Sequence, residues 1–153
     1  MKRIINSLML CILVSSIIMA QKPTSMGLAQ KSTNVEIQEL NLTSFKQKVW
    51  NFDKYKVFRR EGNSAIILDF YATWCKPCKM LTPHLKAIQE KYAGKLIIYG
   101  IDVDKEPELA QRFNVSAMPT LVFIGSVMTY KTELGYRDYD ELEKIVKLHF
   151  FQK

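Results

Sequence analysis

The sequence predicts a single-domain α/β protein. Two short apolar runs rich in strand-forming residues, 65–71 and 96–101, indicate buried strands, and helical spacing of apolar residues over 75–92 lies between them. Strand, helix and strand in this order form a right-handed parallel crossover. A length of 153 residues allows one domain with a proper core, and 48% apolar with 24% charged residues is typical of a globular chain.

The first twenty residues differ in composition from the rest of the chain. Lys2 and Arg3 precede an apolar run over 4–20, after which the chain turns polar, and this is the pattern of a secretory signal peptide. The run is shorter than the roughly 20 mostly apolar residues that a membrane span needs. We therefore expect a signal peptide over 1–20, cleaved after Ala20 or after Ala29, and consider a membrane anchor the weaker alternative.

Export has consequences for the cysteines. Cys11 lies inside the apolar run, so the mature chain would keep only Cys75 and Cys78. Disulfides persist in exported proteins. We expect a periplasmic or other extracytoplasmic location.

Residues 21–34 are polar and small with no hydrophobic period, and they predict a flexible segment before a folded domain over 35–153. The formal charge of +7 comes from 22 basic and 15 acidic residues that are interleaved along the chain. No basic stripe forms, so we do not expect nucleic-acid binding.

The start of the folded domain shows a strand, a helix and a loop. Strict alternation over 35–40 predicts a half-buried strand, and Thr43 is the predicted N-cap of the helix that follows. A charged, irregular stretch over 55–63 predicts a loop. Four apolar residues are expected on the buried side of the helix: Phe45, Val49, Trp50 and Phe52.

Three elements complete the domain. Pro107 opens a short helix over 106–113, and residues 120–124 and 127–132 predict a hairpin around Gly125 and Ser126. An amphipathic helix over 138–151 closes the chain, with the following residues on or near its buried side: Leu142, Ile145, Val146, Leu148 and His149.

The pair of cysteines in Cys75-Lys76-Pro77-Cys78 is the strongest functional signal, because it lies where a buried strand meets a helix. Three-residue spacing puts both sulfurs on one helix face, close enough for a disulfide. The free amides and dipole of the first helical turn stabilise a thiolate at Cys75. We expect Cys75 to be the nucleophile and Cys78 to attack the mixed disulfide that forms on it.

The residues of this segment have alternative interpretations. Lys76 and Lys79 either favour the thiolate or are simply solvated helix residues. A zinc site needs two further ligands, and the mature chain offers only His84 and His149, so we expect no metal. A purely structural disulfide would stabilise little, because the loop it closes is so small.

Two segments carry a family resemblance. The run 69–83, Asp-Phe-Tyr-Ala-Thr-Trp-Cys-Lys-Pro-Cys-Lys-Met-Leu-Thr-Pro, and the run 117–121, Ala-Met-Pro-Thr-Leu, resemble thioredoxin, and the strand order matches that family from about Val35 onward. The resemblance implies the thioredoxin fold, a central mixed β-sheet flanked by helices. It also implies that the redox pair lies beside a shallow groove that docks extended substrate protein. The redox-active disulfide would carry out the reaction without a bound cofactor.

The resemblance also assigns roles to single residues. Asp69 would assist Cys78, and its place in a buried strand should by itself raise the pKa of its carboxyl. The Met118–Pro119 bond would be cis and would face the cysteines, keeping metal ions away and offering backbone groups to substrate. Trp74, Met118 and Pro119 would contact substrate.

Three positions depart from the family pattern. Lys76-Pro77 stands where thioredoxin usually has Gly-Pro, Met118 replaces a more usual aliphatic residue, and Gly100 stands where many thioredoxins have a lysine near the buried acid. Since about 30 mV of reduction potential corresponds to about 1.4 kcal/mol, small changes of this kind can reverse the preferred direction of exchange.

We therefore expect a protein thiol-disulfide oxidoreductase, acting as a reductase or isomerase on substrate proteins with disulfides or thiols. A membrane thiol carrier would supply its electrons, and it would act as a monomer. Two alternatives stay open: an oxidase that donates disulfides, and a non-catalytic binding module with the same fold. The reduction potential of the cysteine pair distinguishes the oxidase from the reductase, and a Cys75→Ala, Cys78→Ala variant distinguishes the binding module from an enzyme.

Overall fold

A computed structural model describes residues 35–125 and 128–152. The chain divides into two units, Met1–Ser32 and Thr33–Lys153, and all described residues belong to the second. The predicted signal peptide, both cleavage positions and the flexible segment over 21–34 lie outside the described residues, as do positions 126 and 127 of the hairpin. No helix in the described ranges is long and apolar enough to cross a membrane.

Five strands form one mixed sheet. They are β1 Gln38–Glu39, β2 Ala65–Tyr71, β3 Leu96–Asp102, β4 Thr120–Ile124 and β5 Tyr130–Leu134. Their spatial order is β1-β3-β2-β4-β5, with β1, β3 and β2 parallel and both β4 and β5 antiparallel to their neighbours. The predicted α/β class, the parallel crossover and the central mixed sheet are thereby confirmed.

The helices are α1 Leu42–Lys48, α2 Lys76–Lys91, α3 Pro107–Arg112 and α4 Tyr139–Val146, and a π-helical turn, Lys147–Phe151, continues α4. Alternate residues of β2 face opposite sides of the sheet, so each side has its own core. Ile66, Leu68 and Phe70 pack with α1 and α3, whereas Ile67 packs with α2 and α4. The cysteines therefore sit at the end of a fully covered central strand.

The first helix begins and ends differently from the prediction. Asn41, not Thr43, is the N-cap, and its Oδ1 accepts a hydrogen bond of 2.8 Å from the Ser44 amide. The helix ends at Lys48, yet Trp50 and Phe52 beyond it are still buried, with their ring centroids 5.5 Å apart. Residues two apart cannot share one helix face, so the chain must leave the helix for both rings to reach the core.

This difference can be tested. Asn41→Ala is expected to lower the free energy of unfolding by about 1 kcal/mol, because the Ser44 amide loses its acceptor. Thr43→Ala is the matched control and should change stability by less than about 0.5 kcal/mol, since Thr43 is exposed. Urea unfolding of both variants measures this. A larger loss in Thr43→Ala than in Asn41→Ala would reinstate Thr43 as the cap.

Three other elements differ in extent. β1 has only two residues, because its pairing to β3 covers only Gln38 and Glu39. The second hairpin strand, β5, starts at Tyr130, later than predicted. Leu148, expected on or near the buried side of the last helix, is exposed, because it follows the buried Val146 by two residues and therefore lies on another face.

Candidate active site

Cys75 and Cys78 form a disulfide at the start of α2, with their Cα atoms 5.4 Å apart. Cys75 is the N-cap of the helix, and its Sγ accepts a hydrogen bond of 3.2 Å from the Cys78 amide. This places Cys75 at the positive end of the helix dipole, where a thiolate is stabilised. The exposed fractions are 5% for Cys75 and 2% for Cys78, so the predicted order holds but the difference is small.

The side chains around the disulfide are of two kinds. Met118 and Ala72 pack against the cysteines and close the site from the side of the sheet. Lys76, Pro77 and Lys79 are all exposed on the first turn of α2. The apolar side and the basic side of the site therefore meet at the disulfide.

Trp74 is the most exposed large side chain beside the disulfide, with 67% of its surface accessible. Its Nε1 donates a hydrogen bond of 2.9 Å to Asp104 Oδ2. The indole ring is therefore oriented by the loop after β3 while most of its surface stays accessible, a combination that suits contact with another molecule.

The Met118–Pro119 bond is cis, as the resemblance implied. Pro119 is buried and directly precedes β4, and its carbonyl accepts a hydrogen bond of 2.8 Å from the Gly135 amide. That carbonyl is thus used within the fold. Met118 is the residue of this pair that contacts the cysteine cluster.

Asp69 lies in the middle of β2 with 4% of its surface exposed. Its Oδ1 atom has no hydrogen-bond partner within the described parts of the chain. Burial, and secondarily the negative charge of Glu39, raise the pKa of the Asp69 carboxyl from 3.8 to about 7. The expectation that burial raises this pKa agrees with the structure, and the carboxyl changes its protonation near neutral pH.

Sequence reasoning did not find the part that Glu39 plays. In the sheet, Glu39 and Asp69 both pair with Gly100, which lies between them on β3. A Cβ atom at Gly100 would be only 3.0 Å from the Glu39 Cδ, so the absence of a side chain makes room for this carboxylate. The alternating pattern over 35–40 was visible in the sequence, but the register of an edge strand against β3 was not.

An open cleft of about 290 Å³ lies over these residues. Its lining comes from the segment before β1, from three strands and from α2: Glu36, Ile37, Glu39, Asp69, Tyr71, Thr82, Lys86 and Gly100. Thr82 also connects it to the redox pair, since its Oγ1 donates a hydrogen bond of 3.0 Å to the Cys78 carbonyl. The buried acid therefore has a polar route to solvent on the side of Glu39.

The two histidines that were weighed as metal ligands lie apart from the cysteines. His84 Nε2 is 3.1 Å from the Tyr136 hydroxyl, and His149 Nε2 is 3.3 Å from Glu133 Oε1. Across residues 35–125 and 128–152, no group of three or more potential ligand side chains is arranged to hold a metal ion.

The chain is similar to known proteins over most of the described residues. The thioredoxin family model matches residues 36–148. The thioredoxin of Borreliella burgdorferi is 35% identical over 106 residues, which cover 69% of this chain and 91% of that protein. The thioredoxin of Listeria monocytogenes is 39% identical over 90 residues, covering 58% and 87%.

A solved structure agrees with these relatives. Mitochondrial thioredoxin 3 from Saccharomyces cerevisiae, in its oxidized form, superposes with a TM-score of 0.56 at 34% identity, covering 72% of this chain and 93% of that one. Thioredoxins use their own redox-active disulfide on substrate proteins with disulfides, and here that disulfide joins Cys75 and Cys78. The chain belongs to the thioredoxin family and is a protein thiol-disulfide oxidoreductase.

Proposed function

We propose that this protein reduces or isomerises disulfides of substrate proteins outside the cytoplasm. The buried carboxyl of Asp69, whose Oδ1 has no hydrogen-bond partner within the described residues, is the observation that carries the proposed reaction. In a reductive cycle Cys78 starts as a thiol and must lose its proton before it can attack. A carboxyl with a pKa of about 7 can take that proton near neutral pH.

The reaction then proceeds in two exchanges. The Cys75 thiolate attacks a substrate disulfide, which forms a mixed disulfide and releases one substrate thiolate. Cys78 gives its proton to Asp69 and attacks the Cys75 sulfur, so the second substrate thiolate leaves and the enzyme disulfide forms. Two electrons pass to the substrate, and its two thiolates take protons from solvent.

We assign substrate contact to the side chains around the disulfide. Trp74 presents an exposed, oriented ring next to Cys75 in the chain, and Met118 packs against the cysteines. An extended segment of substrate protein laid between them would bring its disulfide to Cys75. Lys76 and Lys79 are exposed beside this path and favour the thiolate.

The direction of exchange is tested by the reduction potential of the Cys75–Cys78 pair, measured by equilibration with glutathione redox buffers. A reductase is expected to have a value near that of thioredoxins, about −270 mV. A strongly oxidising value near about −120 mV would contradict the reductive direction and favour a disulfide-donating oxidase. Lys76→Gly is a useful companion variant, because it restores the usual Gly-Pro dipeptide.

The location outside the cytoplasm rests on the composition of residues 1–20. In this proposal the protein works as a monomer, and a membrane thiol carrier returns electrons to Cys75 and Cys78. N-terminal sequencing of the protein after cell fractionation tests the proposal. Recovery outside the cytoplasm with a new N-terminus after Ala20 or Ala29 supports export, and recovery of the intact chain in the cytoplasm would overturn it.

A further inference from the structure

The cleft beside Asp69 contains a second carboxylate that the reaction described above does not use. Register partners on adjacent parallel strands project to the same face of the sheet, so Glu39, Gly100 and Asp69 form a row across β1, β3 and β2. The middle position has no side chain, and the Glu39 carboxylate occupies the space over it. Two carboxyl groups thus face one cleft with nothing between them on the sheet.

We propose that Glu39 is a positioning residue that acts through Asp69: the two carboxyl groups form a pair across Gly100, and Glu39 thereby decides when Asp69 can accept the proton of Cys78. This inference rests on the proposed role of Asp69 as the base of the resolving step. Its first support is that two carboxyls sharing a site cannot easily both be ionised.

The surroundings determine which member of the pair keeps its charge. Asp69 is almost fully buried and its Oδ1 lacks a partner within the described residues, whereas Glu39 is exposed. Desolvation raises the pKa of Glu39 as well, but interaction with Tyr71 opposes this rise. Glu39 therefore ionises first, and its charge keeps the proton on Asp69.

Other charged groups reach the pair from the neighbouring elements. They are Glu36 from the segment before β1, Tyr71 from β2, Lys86 from α2, and Asp102 and Lys105 from the end of β3 and the loop after it. Lys86 is the cation that lines the cleft, and in the ranges described it forms no salt bridge with either carboxylate. The repulsion between the pair is thus not cancelled by a local ion pair.

In the catalytic step, Asp69 first loses the one proton that the pair holds and then takes up another. Asp69 loses its proton to solvent through the cleft, then accepts the Cys78 proton as the Cys78 thiolate forms its bond to Cys75. The bond between Cys75 and the substrate breaks, and the substrate leaves with the electron pair. Glu39 makes no bond in this step. It changes only the pH at which Asp69 is deprotonated and can accept the Cys78 proton.

The test is the pH dependence of a single turnover, in which the reduced full chain reduces the disulfides of insulin at pH values from 5 to 9. Glu39→Gln removes the charge at nearly constant shape. It is expected to lower the midpoint of the rising limb by roughly one pH unit, with an unchanged rate at high pH. If the midpoint lies near 7, the rate at pH 6 then increases about fivefold.

Three further variants make the result decisive. Glu39→Asp keeps the charge and should have a midpoint closer to wild type than to Glu39→Gln. Glu36→Gln removes an exposed carboxylate from the same cleft and should leave the midpoint unchanged. Asp69→Asn should lower the rate across the rising limb and leave ionisation of the Cys75 thiol as the remaining pH dependence.

The outcomes separate the two claims. If the limb changes in Asp69→Asn but does not shift in Glu39→Gln, the pairing is overturned and the role of Asp69 stands. If the pH profile of Asp69→Asn is the same as that of wild type, Asp69 is not the base, and the inference about Glu39 falls with it. A shift in Glu36→Gln as large as in Glu39→Gln would assign the effect to general surface charge and overturn the specific pair.

Discussion

Cys78→Ser is expected to turn the protein into a trap that accumulates mixed disulfides with its substrates through Cys75. Cys75 is the N-cap of α2, where the helix amides favour its thiolate, so the first attack is retained. The second attack needs the Cys78 sulfur, which the variant lacks. Reductase activity should fall to the background rate while adducts form in proportion to the enzyme.

Non-reducing gels and mass spectrometry of the trapped species measure this result. Cys75→Ser is the matched variant and should lose activity without forming adducts, because Cys78 lies inside the first turn of α2 and lacks the N-cap position that stabilises the Cys75 thiolate. Peptide mapping separates adducts on Cys75 from any on Cys11, which a full-length chain still carries. Abundant adducts on Cys78 in the Cys75→Ser variant would reverse the assignment of the two cysteines.

The sequence predicts elements correctly where the local hydrophobic pattern agrees with their burial in the fold. β2, α2 and β3 were predicted nearly to their ends, because continuous apolar strands and a helical period leave few alternatives. The site at the junction of β2 and α2 follows from that, since Cys75 could only be at the start of the helix. The burial of Asp69 was predicted from its apolar neighbours for the same reason.

Contacts between distant segments were not predictable in the same way. The helix cap is Asn41, two residues before the predicted Thr43, and only the path of the chain decides between these positions. The contact of Glu39 with the space over Gly100 depends on a two-residue pairing of β1 to β3, for which the sequence holds no local signal. The sequence shows that Gly100 replaces the lysine of many thioredoxins, but it does not show that the Glu39 carboxylate occupies the space over this glycine.

Asp69→Asn is expected to stabilise the oxidised protein, and the gain should grow with pH. The pKa of Asp69 is about 7 in the folded protein against 3.8 ordinarily, chiefly because of burial and secondarily because of Glu39. The folded state therefore holds this proton more tightly than the unfolded state does. As pH rises from about 4 to 7, ionisation of Asp69 progressively destabilises the fold, and above about 7 the loss is constant.

The size of the effect follows from the difference of about three units, which corresponds to about 4 kcal/mol. Asparagine does not ionise, so the variant escapes this loss. Its free energy of unfolding should exceed that of wild type by about 2–4 kcal/mol at pH 8 and by little at pH 4. Urea unfolding of both proteins at several pH values gives the difference directly.

Asp102→Asn is the matched control, because Asp102 is as buried as Asp69, with 4% of its surface exposed in each case. Its carboxylate has partners, however: Oδ1 accepts a hydrogen bond of 3.1 Å from the Asp104 amide, and Oδ2 is 3.2 Å from Lys105 Nζ. Asparagine loses the ion pair there, so no stabilisation is expected at pH 8. If Asp69→Asn also fails to stabilise at pH 8, the Asp69 carboxylate is better solvated than its burial implies, and it would then be too weak a base for Cys78.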